Sequence, residues 1–330
     1  MMNFCTLFDS YYIHKGIALY LSLEKVSDDF HLYVMAFDRD SYNKLTSIGF
    51  KHMTVECWED FEVGRILEIK NERTRAEYCW SCGPSVIYHF LTYYNLQSIT
   101  YLDSDLYFMG NPQIAFAEIG NKSVAITEQG ISEKSAKLYG KYCVQFMYFK
   151  NDTDGLAALT WWRDACLDWC YQRFERDKYG DQKYLDQFPV KFNNVHIMQN
   201  YGVGIAPWNM YRYTYNNNTL KYEGKQYPCV FFHMHGFKCE FNGDKLILRS
   251  YDQAFTQEVK DAFINDYAEL TRELLNKYFG MAFISSEAIG QSLVKQLEYK
   301  IRGVLRHNKF IQWLYFKFIR KTYDGHGMKL

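Results

Sequence analysis

Short apolar runs alternate with longer amphipathic ones from the start of the chain. Residues 4–8 read as a strand, and Asp9-Ser10 caps a helix over about 11–25 whose apolar positions, Ile17 and Leu21 among them, recur at helical spacing. Residues 31–37 are a second strand, 38–45 a helix and 51–57 a third strand. This order opens a doubly wound sheet, in which ligands sit at the carboxyl ends of the strands. Phe8, Asp9 and Ser10 therefore fall on the rim of a cleft.

A helical pattern over 71–94, interrupted at Gly83-Pro84, carries Arg73, Arg75 and Glu77 and leads into the stretch 98–108. There an apolar, β-branched and aromatic run ends on Asp103-Ser104-Asp105, is followed by Leu106-Tyr107-Phe108, and stops at the turn signal Gly110-Asn111-Pro112. Carboxylates spaced i, i+2 at a strand's end share a hard divalent ion if the chain bends between them, and phosphate oxygens commonly complete such a site. Asp-x-Asp also occurs at Asp38-Arg39-Asp40 and Asp152-Thr153-Asp154. The first reads as a solvated helix start and the third as an N-cap.

Residues 124–127 and 142–149 read as strands. Over 156–174 a strongly apolar helix places Leu159, Trp162, Cys166, Trp169 and Cys170 on one face, the pattern of a core rather than a cofactor box. A polar helix start follows at 180–186, then a strand at 195–198. Asn216-Asn217-Asn218 is a turn between tyrosine-rich strands. Residues 229–235 form a buried strand on which His233 and His235 face the same side, and Asn242-Gly243-Asp244 turns the chain into 246–248. Beyond about residue 253 the pattern is helical, which divides the chain into a main domain at 1–252 and a helical extension at 253–330. In the last helix, 302–321, the basic residues Arg302, Arg306, Lys309, Lys317, Arg320 and Lys321 fall opposite Ile311, Leu314, Tyr315, Phe318 and Ile319. Such a helix lies on an anionic membrane or docks on its own domain with a solvated basic face. The tail after Asp324 reads as disordered.

Composition narrows the partners. With 38 basic and 38 acidic residues among 330, no global charge favours nucleic acid. Nine cysteines without regular spacing do not form a secreted disulfide framework. The pairs Cys79/Cys82 and Cys166/Cys170 raise zinc or redox chemistry, but both lie in helix-like stretches and read as buried thiols. Asp9 arrives too early for a signal peptide, and no run of about 18 uncharged apolar residues spans a membrane, so a cytoplasmic protein is expected. The heavy use of aromatics, 18% of the chain, supplies core with a few stacking platforms.

Six motifs in order support a family resemblance: Glu77-Tyr78-x-Trp80-Ser81-x-x-Pro84, Tyr101-Leu102-Asp103-x-Asp105-Leu106-Tyr107-Phe108, Trp161-Trp162-Arg163, Gly180-Asp181-Gln182-Lys183-Tyr184-Leu185-Asp186, Ala206-Pro207-Trp208-Asn209 and Phe231-Phe232-His233. Over roughly residues 3–250 the chain resembles a family of bacterial glycosyltransferases of the GT-A fold, distantly similar to glycogenin and the lipopolysaccharide galactosyltransferases. The resemblance implies a mixed Rossmann-like sheet and a nucleotide-sugar donor, a UDP-sugar first among them, bound with Mn²⁺ or Mg²⁺. It implies a growing surface polysaccharide or a lipid-linked glycan as acceptor, with the basic helix 302–321 suggesting contact with the inner face of the membrane. By similarity Asp103 and Asp105 are metal ligands and His233 the third, in the family's His-x-x-Gly element.

Phe8, Asp9, Arg75, Ser104, Gly236 and Lys238 are then expected on the donor side, with Arg75 or Lys238 stabilising the diphosphate leaving group. Lys238 stands two residues after Gly236, where the relatives have three. Asp181 and Gln182 would steady the acceptor hydroxyl or the oxocarbenium-like transition state, while Trp208 with Asn209 would floor a sugar. Similarity to the glycogenin-like enzymes leans towards retention of configuration. The family's Tyr-Asn-Val-Gly is replaced here by Tyr142-Cys143-Val144-Gln145, a departure on the acceptor side that keeps open a non-catalytic nucleotide-sugar or glycan-binding module on the same fold.

Overall fold

The computed structural model describes residues 1–216, 218–242, 245–249 and 256–279, with 238–242 and 245–249 described as backbone. The basic helix at 302–321 and the tail lie outside the described residues. The opening alternation folds as its pattern predicts. Strands β1 (Met2–Phe8), β2 (Phe30–Ala36) and β3 (Met53–Cys57) are parallel, with Phe8 opposite Ala36 and Ala36 opposite Cys57. Helices Ile13–Val26 and Arg39–Ile48 connect them. Asp38, the first acid of the first Asp-x-Asp, caps the second helix by accepting from Ser41 N–H. Asp152 caps helix Thr153–Asp168 in the same way through Gly155 N–H.

Strand β4 (Ser98–Leu102) pairs with the other side of β1, so the winding reverses between β1 and β4. A crevice opens at such a switch point because the loops leaving the two strands turn to opposite sides. β5 (Leu106–Phe108) leaves the sheet at once. β6 (Val124–Glu128), β7 (Tyr142–Lys150) and β8 (Val195–Ile197) complete a mixed seven-stranded order β3-β2-β1-β4-β7-β6-β8, with β7 antiparallel to both neighbours. β9 (Val203–Ile205) precedes a small antiparallel sheet of β10 (Thr214–Asn216), β11 (Thr219–Tyr222) and β12 (Lys225–Pro228). β13 (Phe231–His233) then pairs antiparallel with β5 and parallel with β9.

Side-chain alternation gives the main sheet two apolar faces, as strands covered on both sides require. Cys5, Leu7, Met35, Met147 and Phe149 pack with Cys82, Val86, Phe90, Leu159 and Trp162 from helices Arg75–Tyr93 and Thr153–Asp168. Phe4 points the other way, its ring 6.2 Å from that of Phe108 and 5.8 Å from that of Phe116. Met1–His235 with Gln257–Leu274 forms one compact unit. The second unit contains the antiparallel hairpin Lys238–Asn242 with Lys245–Arg249.

Two sequence expectations are corrected. Gly83-Pro84 does not interrupt its helix, which runs unbroken from Arg75 to Tyr93. Ser81, Cys82, Gly83, Pro84 and Ser85 are all buried, and packing of that face outweighs the backbone hydrogen bond that proline removes. The apolar helix expected to reach residue 174 ends at Asp168, with Trp169 extended. Arg73 stops it: its guanidinium donates to Cys166 O at 2.8 Å and Leu167 O at 2.7 Å, capturing carbonyls of the last turn. Cys82, Cys166 and Cys170 are buried free thiols, and burial pushes the Cys79 thiol up to about 12. Among the described residues no helix is long and apolar enough to cross a membrane.

Candidate functional site

The crevice after β1 and β4 is built by a turn. Asp103 N–H donates to Gln145 O on β7 at 3.1 Å, and Leu106 N–H donates back to Asp103 O at 3.2 Å, bending the chain around Ser104 and Asp105. β5 then runs along β13 with Leu106 opposite His233, and Met234 N–H donates to Asp105 O at 2.8 Å. The two acids at the end of one strand thereby meet the histidine at the end of another.

His233 is buried at the centre. Its Nε2 lies 3.0 Å from Asp105 Oδ1 and 3.7 Å from Asp103 Oδ2, and its Nδ1 lies 2.8 Å from Gln145 Oε1. With the Gln145 carbonyl oxygen as acceptor, Nδ1 carries a hydrogen and Nε2 is aimed at the acids. Asp105, His233 and His235 each offer a ligand atom, all within 4.8 Å of one another. An imidazole whose remote nitrogen is held by an amide oxygen, beside a carboxylate and a second imidazole, is a donor set that fits a divalent transition ion. Asp103, at 3.7 Å from the same imidazole, borders this group.

The charges are strongly coupled. Burial acts to raise Asp105, but His233 outweighs it and holds the carboxyl well below the usual aspartate range. Burial acts to lower His233, yet the Asp105 carboxylate, by charge and hydrogen bond, raises it to about 10. Asp103 is pushed up to about 6, by burial first and, against the pull of His233, by the charge of Asp105. Asp181 rises to about 7 through burial and the Asp103 charge. Its backbone carbonyl is fixed by Trp162 Nε1–H at 2.9 Å.

The other sequence candidates occupy different positions. Trp208 borders the histidines, its ring 5.3 Å from that of His233 and 5.4 Å from that of His235, and its Nε1–H donates to Gln129 O. Asn209 is buried and spends its amide on the backbone, donating to Gln129 O and Gly204 O and accepting from Ala206 N–H. Gln182 donates to Tyr139 O at 3.1 Å. Asp9 and Arg75 form an ion pair at 2.5 Å beside Asp38 at 3.8 Å, with Tyr11 stacked under the guanidinium at 4.6 Å. Ser104 is buried within the acidic turn. Phe8 packs inward: a Cβ at Gly16 would lie 2.2 Å from its ring, so the glycine makes room for it. Gly236 and Lys238 belong to the second compact unit.

Three participants were not assigned to the site from the sequence. His235 joins the ligand group, a possibility signalled only by its sharing a side with His233. Gln145, half of the family departure, is the partner of His233. Lys15 Nζ, 3.8 Å from Asp105 Oδ2, is a third addition, reached from the first helix.

No protein-family profile matches the chain. The uncharacterized protein YfnD of Bacillus subtilis (strain 168) is 29% identical over 241 residues, covering 71% of this chain and 78% of the relative. The uncharacterized protein YfnF of the same organism is 29% identical over 248 residues, covering 71% and 81%. Among solved structures, the galactosyltransferase LgtC, determined in complex with donor and acceptor sugar analogs, matches with a TM-score of 0.51 over 82% of this chain and 96% of its own, at 11% identity. The chain has the α/β, GT-A-like fold of the glycosyltransferases, a mixed central sheet flanked by helices, and is their distant structural relative.

Proposed function

We propose that the chain is a metal-dependent glycosyltransferase that moves a sugar from a nucleotide-diphosphate sugar, a UDP-sugar first among them, to a surface glycan or lipid-linked acceptor. The observation that carries this reading is the convergence of Asp105, His233 and His235, bordered by Asp103, at the switch point of a sheet shared with a known galactosyltransferase. Two imidazoles beside a carboxylate favour Mn²⁺ over Mg²⁺, which prefers an all-oxygen shell. A bound ion would offset the charge that develops on the diphosphate as the anomeric carbon–oxygen bond breaks.

The chain's own residues set the rest of the chemistry. Gln145 holds the His233 tautomer, and the β5–β13 pairing fixes His233 against Asp105, so the charged groups need no reorganisation when a donor arrives. Arg75, clamped between Asp9 and Asp38, offers a positioned cation at the end of β1 for the donor's nucleotide part. Asp181, raised by burial and by the Asp103 charge, is our candidate to steady an acceptor hydroxyl or the oxocarbenium-like transition state. Trp208 gives a half-buried ring beside the histidines on which a sugar can stack. The cytoplasmic face of a membrane, reached through 302–321, remains the setting we propose for a lipid-linked acceptor.

The test is turnover. Purified protein is incubated with Mn²⁺ and UDP-, GDP-, CDP- and dTDP-sugars, with release of free nucleoside diphosphate measured against the Asp105→Ala variant. Release from one donor by the wild type alone supports the reading. Equal release by the variant, or binding of a donor without transfer or hydrolysis over a broad acceptor panel, contradicts it.

A further inference from the structure

Lys15 is a charged side chain where a helix of this kind ordinarily presents an apolar one. It lies in the first turn of Ile13–Val26, and instead of reaching solvent its side chain is 8% exposed, with Nζ 3.8 Å from Asp105 Oδ2 and 4.4 Å from the centre of the Tyr12 ring. The separation from Asp105 is too long for a hydrogen bond. Among the described residues, no acceptor lies within hydrogen-bonding distance of this ammonium. A lysine so largely buried is normally closely paired. Its three N–H groups are available to a ligand.

The placement also answers a question of charge. Asp105 has His233 on one oxygen and Lys15 on the other. Asp103 and Asp105 together would cancel a divalent ion, leaving it little net attraction for a further anion. Lys15 cannot be a metal ligand as an ammonium, and it restores an excess of positive charge at that point. The family resemblance points to Arg75 or Lys238 for such a cation.

Resting on the function proposed above, we infer that Lys15 is a resident cation of the donor site whose ammonium hydrogen-bonds the diphosphate of a bound nucleoside diphosphate. It acts on the leaving group directly and not through the metal ligands. The experiment compares the full-length wild type with Lys15→Met and Lys15→Arg by calorimetric titration, using UDP in saturating Mn²⁺ and, separately, Mn²⁺ alone. Loss of one charge-assisted hydrogen bond corresponds to about a tenfold or greater fall in UDP affinity for Lys15→Met. Affinity for Mn²⁺ alone should not fall, and Lys15→Arg should recover part of the UDP affinity. Unchanged UDP affinity would overturn the inference, as would a parallel loss of Mn²⁺ affinity, which is what a merely structural lysine would give. If Lys15→Met fails to fold, Lys15→Gln supplies the same comparison. A wild type that binds Mn²⁺ but no UDP would overturn this inference together with the UDP-donor reading beneath it.

Discussion

Gln145 Oε1 lies 2.8 Å from His233 Nδ1, so an uncharged side chain at the middle of the sheet decides which nitrogen of a buried imidazole faces Asp105. Metal-binding histidines depend on such a partner, and its removal typically costs about 10- to 100-fold in affinity. Gln145→Leu, similar in volume but without the acceptor, should weaken Mn²⁺ binding by about that factor while the fold persists. Calorimetric titration with Mn²⁺ checks this, and an unchanged affinity would remove Gln145 from the site's support.

Gly204 is the companion of Gln145. It sits at φ +136°, and a Cβ there would come within 2.9 Å of Gln145 Nε2. Gly204→Ala combines an unfavourable backbone conformation with displacement of that amide, so it should destabilise the protein by about 1–3 kcal/mol. Urea unfolding reads the loss of stability, and the Mn²⁺ titration should weaken in parallel, since the two residues share one contact.

How much of this was legible beforehand differs residue by residue. Asp103 and Asp105 stood out because the run before them is a strand and strands deliver their last residues to a sheet's edge. The opening βαβαβ order was equally readable, because it rests on local periodicity. Gln145 was seen only as a departure from a family pattern: its role depends on β7 lying beside β4 and on β13 approaching from nearly ninety residues away, contacts that leave no local signature. Lys15 was hidden for the same reason, as one of several polar residues in helix Ile13–Val26 whose neighbour Asp105 is distant in the chain. The misread break at Gly83-Pro84 shows packing overriding a local propensity, and the misread helix end at Asp168 shows a distant arginine supplying a stop signal.

That arginine gives a stability prediction. Arg73 is buried and ties helix Arg75–Tyr93 to the end of Thr153–Asp168 through Ser81, Cys166 O and Leu167 O. Arg73→Ala leaves those carbonyls unpaired and should cost about 3 kcal/mol. Denaturant unfolding measures it, and a cost below about 1 kcal/mol would show that other groups end the helix.

Asp38 carries a pH dependence whose sign is fixed. Burial opposes its ionisation, but donors from Ser10 and Ser41 outweigh it and hold its pKa below the ordinary aspartate value. A depressed folded-state pKa contributes stability that is complete above the unfolded value, about 3.9, and is lost as pH falls through the folded value. Stability should therefore decline below about pH 4, with a shallower decline in Asp38→Asn, which has no charge to lose. Urea unfolding at pH 3 to 6 reads both slopes, and identical slopes would show that other carboxylates dominate.

The most direct measurement of the central claim is thermal unfolding of the full-length protein with UDP, GDP, CDP and dTDP, each with and without Mn²⁺. A ligand at about 100 times its dissociation constant adds about 2.7 kcal/mol to the folded state, enough to raise the midpoint by several degrees. The account predicts a rise with one nucleotide, UDP first among them, only when Mn²⁺ is present, and abolished in Asp105→Asn. A rise that is independent of the ion, or that survives in Asp105→Asn, would contradict it.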